Sequence, residues 1–304
     1  MLPLMLKPVK LLNNLLVESG PAPIPEAVWY VTQQTDAGLV YTFPLGALAS
    51  AAYLSADMLL DGDRLSVFSL CLQEGEDGPV FRMNFGLLNQ CSARMRVPLE
   101  AVNQNRWRYP REGAWLKPMC GGDRVDLAKV DRMLLRVIRK SSNPTRFCLT
   151  PVTATLEPPA LLEAPLLPRG KLLDAVGQST LHAWEGKTAS PAVASERLES
   201  QLASADKEHL PEGMTRWGGW SQKQFDSTGF FHTHHDGNRW WLVDPDGNAF
   251  WSSGLDCVRF GIETAYEGLE GALAWLPEPE GLYKAAYAHG RDKVVDYLRA
   301  NFIR

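Results

Sequence analysis

Three histidines within four positions, His232, His234 and His235, form a compact set of potential ligands. Side chains alternate along a strand, so His232 and His234 share one face, and such a pair can ligate a metal ion. A working site also needs a third ligand and partners that orient the imidazoles, and none is identifiable in the sequence. The cluster is therefore read as one face of an exposed hairpin, with no metal. Asp244 and Asp246 flank Pro245 and form a candidate acid–base pair. In a DPDG sequence, however, Asp side chains hydrogen-bond the local backbone, so a turn is the simpler expectation. Glu263, Glu267 and Glu270 read as a solvated loop face. Trp184, Trp217 and Trp220 carry flat apolar rings with one N–H donor each, suited either to stacking on sugar rings or to packing.

The elements that must position these residues follow from the local patterns. The stretch from Arg216 to Arg259 holds five of the ten tryptophans and two Asp-Gly turn signals, Asp236-Gly237 and Asp246-Gly247. Aromatic and apolar runs on either side of such turns predict a three-strand meander over 229–235, 239–243 and 249–258. The third run is almost continuously apolar or small, which predicts a strand buried on both faces. Trp240 and Trp241 point to opposite faces of theirs, so at least one is expected in the core. Gly218 and Gly219 suggest a close backbone approach or a positive φ.

Upstream, alternating runs at 65–74, 80–88 and 92–102, separated by turn residues, predict an antiparallel β-sandwich. In the last run Met95, Val97 and Leu99 share a face opposite Arg94 and Arg96. The 130–140 run fits either a helix or a strand; the turn and β-rich run that follow favour strand. Four prolines in 157–170 mark a boundary. Beyond it, Ser190 as cap, Pro191 in the first turn and Val193, Leu198 and Leu202 at helical spacing predict an amphipathic helix. Val294, Val295, Leu298 and Phe302 predict a second helix at the end of the chain. Residues 1–25, rich in Leu and Pro, read as an irregular arm.

Composition sets the outer limits. The 304 residues allow about two domains. A net charge of −4 leaves no general basic footprint for nucleic acid. The five cysteines (Cys71, Cys91, Cys120, Cys148 and Cys257) form no CxxC pair and read as scattered, buried, reduced thiols. No apolar run approaches the roughly 18 residues of a membrane span. The N-terminus lacks a clear signal peptide, so the chain as it stands reads as cytoplasmic.

Four segments, taken in order, carry a resemblance: DAVGQSTLHAWEGKTAS at 174–190, RWGGW at 216–220, TGFF at 228–231 and RWWLVDPDGNAFWSSGLDCVR at 239–259. Together they resemble the opening of the catalytic barrel in β-agarases, the family 50 glycoside hydrolases, which are often exported. The resemblance implies a mostly β protein with some α. Its parts would be an arm (1–27), a jelly-roll, carbohydrate-binding-like sandwich (28–165), a linker with the amphipathic helix (166–215) and the start of a (β/α)8 barrel (216–304). It also implies retaining hydrolysis of agarose or related β-galactans by two carboxyl groups about 5–5.5 Å apart, without a cofactor. A whole barrel needs about 200–250 residues, and 89 remain from Arg216. The catalytic glutamates are accordingly expected beyond Arg304, and this chain is expected to be inactive alone. Because barrel sites lie at the carboxyl ends of strands, Asp256 and Arg259 become candidate sugar ligands, joined by Trp184 and Trp220. An uncovered barrel strand would also promote self-association. The rival reading is a non-catalytic glycan-binding or vestigial protein built on the sandwich.

Overall fold

A computed structural model describes residues 3–110, 115–138, 143–162, 170–254, 256–257, 261, 263–287 and 294–304. Alternation governs its first half. The strands there are β1 (Leu4–Leu6), β2 (Lys10–Leu12), β3 (Leu16–Glu18), β4 (Val28–Thr32), β5 (Ala37–Thr42), β6 (Tyr53–Asp61) and β7 (Ser66–Gln73). They continue with β8 (Val80–Leu87), β9 (Ser92–Pro98), β10 (Trp115–Gly122), β11 (Arg132–Val137), β12 (Thr145–Leu149) and β13 (Val152–Thr155).

Two antiparallel sheets result. One runs β1-β13-β6-β12-β4-β3, with β9 paired along β6; the other runs β10-β8-β7-β11-β5-β2. Strands β8, β9 and β11 bury alternate residues, as a half-exposed sheet requires, while β7 and β5, in the interior of the second sheet, bury consecutive ones. In β9 Ala93, Met95 and Val97 are buried while Arg94 and Arg96 stand outward. The ambiguous 130–140 run is β11, with Met133, Leu135 and Val137 in the core. Between the sheets lies an aromatic spine: Phe147 meets Phe68 edge-on at 5.1 Å, Phe68 stacks near Phe85, and Phe85 stacks on Trp115. Such contacts stabilise beyond the area they bury.

The N-terminal residues are not an irregular arm. β1 and β3 extend the first sheet and β2 extends the second, so three short strands finish the sheet edges. Arg146 fastens one of them. Its guanidinium reaches Glu18 on β3 and Asp61 on β6 and lies 3.7 Å over the Trp29 ring. The hydrogen bonds from Arg146 hold the Glu18 carboxyl below the usual carboxylate range.

The second half is looser. Helix α1 (Pro191–Ser204) begins as its sequence predicts, with Ser190 Oγ accepting the Val193 N–H at 3.3 Å and Pro191 in the first turn. Its apolar stripe, however, has no fully buried residue. A small antiparallel sheet follows, built from β14 (Gly219–Gln224), β15 (His232–His235), β16 (Trp240–Val243) and β17 (Asn248–Phe250) in the order β14-β17-β16-β15. The expected meander is present, but its third strand is shorter than the 249–258 run suggests. Residues 251–254 leave the sheet and are exposed. A strand buried on both faces needs a layer on each side, and these residues face solvent instead.

At the C-terminal end β18 (Glu263–Ala265) pairs with β19 (Val294–Asp296), and α2 (Tyr297–Ile303) follows. Val294 and Val295 are thus strand residues rather than part of a helix. The Asp296 carboxylate accepts the Arg299 N–H at 3.0 Å and sets the helix start one residue later. Leu172, Leu269 and Ala272 join the sandwich core. All five cysteines are free; Cys71, Cys91 and Cys148 are buried, Cys120 is half-buried, and Cys257 is exposed, against the expectation of burial. Among the described residues no helix is long and apolar enough to cross a membrane.

Candidate functional site

Asp244 is the anchor of the small sheet. It is fully buried at the start of the DPDG turn. One carboxylate oxygen accepts the backbone N–H groups of Asp246 (3.0 Å) and Asn248 (2.8 Å); the other accepts the Thr215 hydroxyl at 2.8 Å. Burial pushes this carboxyl up, but the Asn248 N–H, the Thr215 hydroxyl and the Asn248 amide outweigh it and hold it below its ordinary value. Asp246 reaches the other way, accepting from Arg216 and from the Trp217 indole at 2.9 Å. The two carboxylates therefore organise the turn and the RWGG segment. Gly219 explains its own identity here: a Cβ would meet Asp244 Oδ2 at 2.4 Å. Gly218 serves the other purpose, a positive φ of 80°.

The hairpin between β15 and β16 is closed by Asp236, whose carboxylate accepts the Asn238 and Arg239 N–H groups and the Trp241 indole. The Arg239 backbone N–H leads these contacts in holding the carboxyl well below the usual range. Trp241 is half-buried, with the Arg239 guanidinium 3.8 Å from its centroid, so it packs with its N–H paired.

The histidines divide as alternation requires. His232 faces Thr228 Oγ1 at 3.0 Å, His234 packs on Phe225, and His235 lies edge-on to Trp240. Among the described residues no group of three or more His, Cys, Asp and Glu could hold a metal ion.

The other face of this sheet presents Phe231, Trp240, Leu242 and Phe250. Leu242 is registered against both Thr233 and Phe250. Phe231 contacts Phe250 at 4.9 Å and Trp217 at 5.8 Å. Trp240 is 70% exposed, Phe231 53% and Leu242 45%. Contrary to expectation, neither Trp240 nor Trp241 is in a core. The signal for this face was the alternation of 231, 233 and 235 against 240 and 242; what alternation does not give is whether a second layer covers it.

Of the four candidate sugar ligands, Trp184 and Trp220 are about half-exposed. Trp184 lies in the loop that leans on the sandwich through His182, whose ring meets the Asp63 carbonyl at 2.8 Å; Lys187 stands 4.9 Å over its centroid. Trp220 lies on β14 opposite Ala249. Asp256 sits in an exposed bend, its carboxylate accepting the Cys257 N–H at 2.8 Å. Arg259 falls outside the described residues. Trp184, Trp220 and Asp256 thus occupy separate elements.

Over 140 residues, the sequence is 29% identical to β-agarase B of Vibrio sp. (strain JT0107), a match covering 38% of this chain and 14% of that protein. The chain is β-agarase-like. No family model matches it. The agarase AgWH50C superposes with a TM-score of 0.43 at 15% identity, covering 96% of this β-agarase-like chain and 46% of that one. A family 11 carbohydrate-binding module from Clostridium thermocellum, in complex with a β-1,3-1,4-mixed-linked tetrasaccharide, covers 53% of the chain at 13% identity and a TM-score of 0.32. The chain spans less than half the length of the agarase relatives it matches.

Proposed function

We propose that these 304 residues are the amino-terminal portion of an agarase-like retaining glycoside hydrolase acting on agarose or related β-galactans. The carrying observation is the 140-residue match to β-agarase B; the ordered motifs from 174 to 259 support it. In this reading 28–165 is the carbohydrate-binding-like sandwich, 166–215 the linker, and 216–304 the start of a (β/α)8 barrel. Catalysis falls to a glutamate pair supplied beyond Arg304, and Asp256, Arg259, Trp184 and Trp220 contribute sugar contacts. The exposed face around Trp240 and Leu242 is where the barrel portion would be covered, and where a chain lacking that cover would self-associate.

A second reading is a non-catalytic glycan-binding protein. It is favoured by the sandwich, which closes its own core without help from the small sheet. The two separate on the DNA downstream of the Arg304 codon. The first expects an open frame with further strand–helix units, and reducing-sugar release from agarose by the longer product only. An immediate stop codon removes the catalytic reading and leaves the binding one.

A further inference from the structure

The end of the sandwich that carries the β6–β7 and β8–β9 connections meets two later segments, 172–181 and 264–273. Between them the chain encloses a cleft of about 300 Å³. That volume lies at the lower end of the roughly 300–1,000 Å³ of small-molecule sites. Its wall is chiefly Leu88, Leu173, Leu181, Leu269 and the Tyr266 ring, so most of the surface it offers is apolar.

The wall is fixed by the protein's own hydrogen bonds. The Leu172 and Leu173 N–H groups both donate to the Ala272 carbonyl, at 2.7 and 3.0 Å, and the Ala274 N–H donates to the Leu173 carbonyl at 2.9 Å. Lys171 Nζ adds a bond to the Leu273 carbonyl at 2.7 Å. The 172–181 segment closes on itself, the Thr180 N–H donating to the Leu172 carbonyl at 2.9 Å, and the His182 ring ties it to the sandwich at the Asp63 carbonyl. Tyr266 stands edge-on to Tyr287. A cleft built in this way has little freedom left to lose on binding.

The polar exception is Asn89. It lines the cleft, is only 9% exposed, and among the described residues nothing hydrogen-bonds its side-chain amide. Its backbone is held by the bridge to Leu60 and by its neighbour Gln90, whose side-chain amide donates to Asp61 and to the Gly62 carbonyl. A buried amide without a partner is costly, and a ligand that both donates and accepts there removes that cost.

Charge decides the class of ligand. None of the described lining residues is cationic, and Asp63, the lining carboxylate, is half-exposed and 3.6 Å from the His182 ring. An anion would meet a carboxylate and no counter-charge, and a cation would give up its hydration to leucines.

We infer that this cleft binds a small uncharged ligand, with an apolar body the size of two fused rings and one carboxamide-type group paired to Asn89. The leucines and Tyr266 pack on the body. The inference goes beyond the glycan reading and does not depend on it, because a sugar ring would strand most of its hydroxyls against leucine side chains.

The test is equilibrium dialysis of the full 304-residue chain against three probes with one shared body: naphthalene, 2-naphthamide and 2-naphthoate. One equivalent of 2-naphthamide should bind, at least about tenfold tighter than either of the others. Leu181→Trp, at a position 41% exposed, fills the mouth and should weaken that binding at least about tenfold with the thermal midpoint unchanged. Asn89→Leu keeps the bulk of the side chain and should erase the preference for 2-naphthamide over naphthalene, which loss of fold alone would not do selectively. Trp240→Ser with Leu242→Ser, on the other exposed apolar surface, should leave the binding as it is. Equal binding of 2-naphthoate, 2-naphthamide binding that survives Leu181→Trp, or no stoichiometric binding at all overturns the inference. A neutral galacto-oligosaccharide that displaces 2-naphthamide overturns the choice of ligand and gives the cleft to the glycan.

Discussion

Strands β8 and β16 alternate in the same way and end in opposite situations. On β8, Phe81, Met83 and Phe85 are buried to 1% or less, because a second sheet lies over them. On β16, Trp240 and Leu242 are as apolar and face outward. In the small sheet and its flanks, from 207 to 254, the fully buried apolar side chains among the described residues are Val243 and Ala249. The sandwich is held by a hydrophobic core, whereas the small sheet is held by a polar one, centred on Asp244. Period-2 patterning makes a strand in both places; it takes a second layer to turn that strand into stability.

The largest effect that should sharpen this contrast lies in the sandwich. Phe147→Ala removes the ring that joins the two sheets and should cost about 3–5 kcal/mol, read as a lower midpoint for the main denaturant transition. A loss under about 1 kcal/mol would mean the aromatic spine is not what holds the layers together.

Next comes Asp244→Ala, which leaves several buried donors unmatched and should cost the small sheet about 3 kcal/mol. Tryptophan fluorescence, dominated there by Trp217, Trp220, Trp240 and Trp241, should then report an early transition ahead of the sandwich. The same residue predicts an acid dependence. Its carboxyl is held below the ordinary value in the folded chain, so the stabilisation is complete above about pH 4 and disappears as pH falls through the depressed value. The small sheet should loosen in acid, and Asp244→Asn should flatten that part of the profile.

A smaller effect concerns the uncovered face. Trp240→Ser with Leu242→Ser should weaken self-association by about tenfold while changing fold stability by less than about 0.5 kcal/mol, as measured by sedimentation over a concentration series. A wild-type chain that sediments as a monomer at every concentration would show that this face needs no cover. Smallest of all, Ser190→Ala should fray α1 at a cost of about 1 kcal/mol, visible in helical circular dichroism and absent from the main unfolding transition, since α1 has no fully buried residue.

These contrasts also explain what was readable beforehand. The outward Arg94 and Arg96 on β9, the strand at Arg132–Val137, the cap at Ser190 and the two Asp-Gly turns are local, and local patterns fix them. The N-terminal strands escaped notice because three-residue edge strands gain their pairing from β13, β5 and β4, far away in sequence. Val294 and Val295 fit a helical spacing, but Asp296 caps the helix after them. The apolar run from Ala249 was long enough for a buried strand, yet burial depends on layers that the run does not encode. Among the site candidates, the tryptophans were legible as residue types; their places on separate elements were not.

The most direct test of the contrast between a sandwich with a closed core and an uncovered small sheet is native-state hydrogen exchange, followed by mass spectrometry on the intact 304-residue chain. Amides of β6 to β9, β11 and β12 should exchange only through global unfolding, and those of β15, β16 and β17 at least about a hundredfold faster through a separate local opening. Equal protection in both regions would show that the small sheet is as fully supported as the sandwich, and would contradict the reading of 216–304 as a portion that lacks its cover.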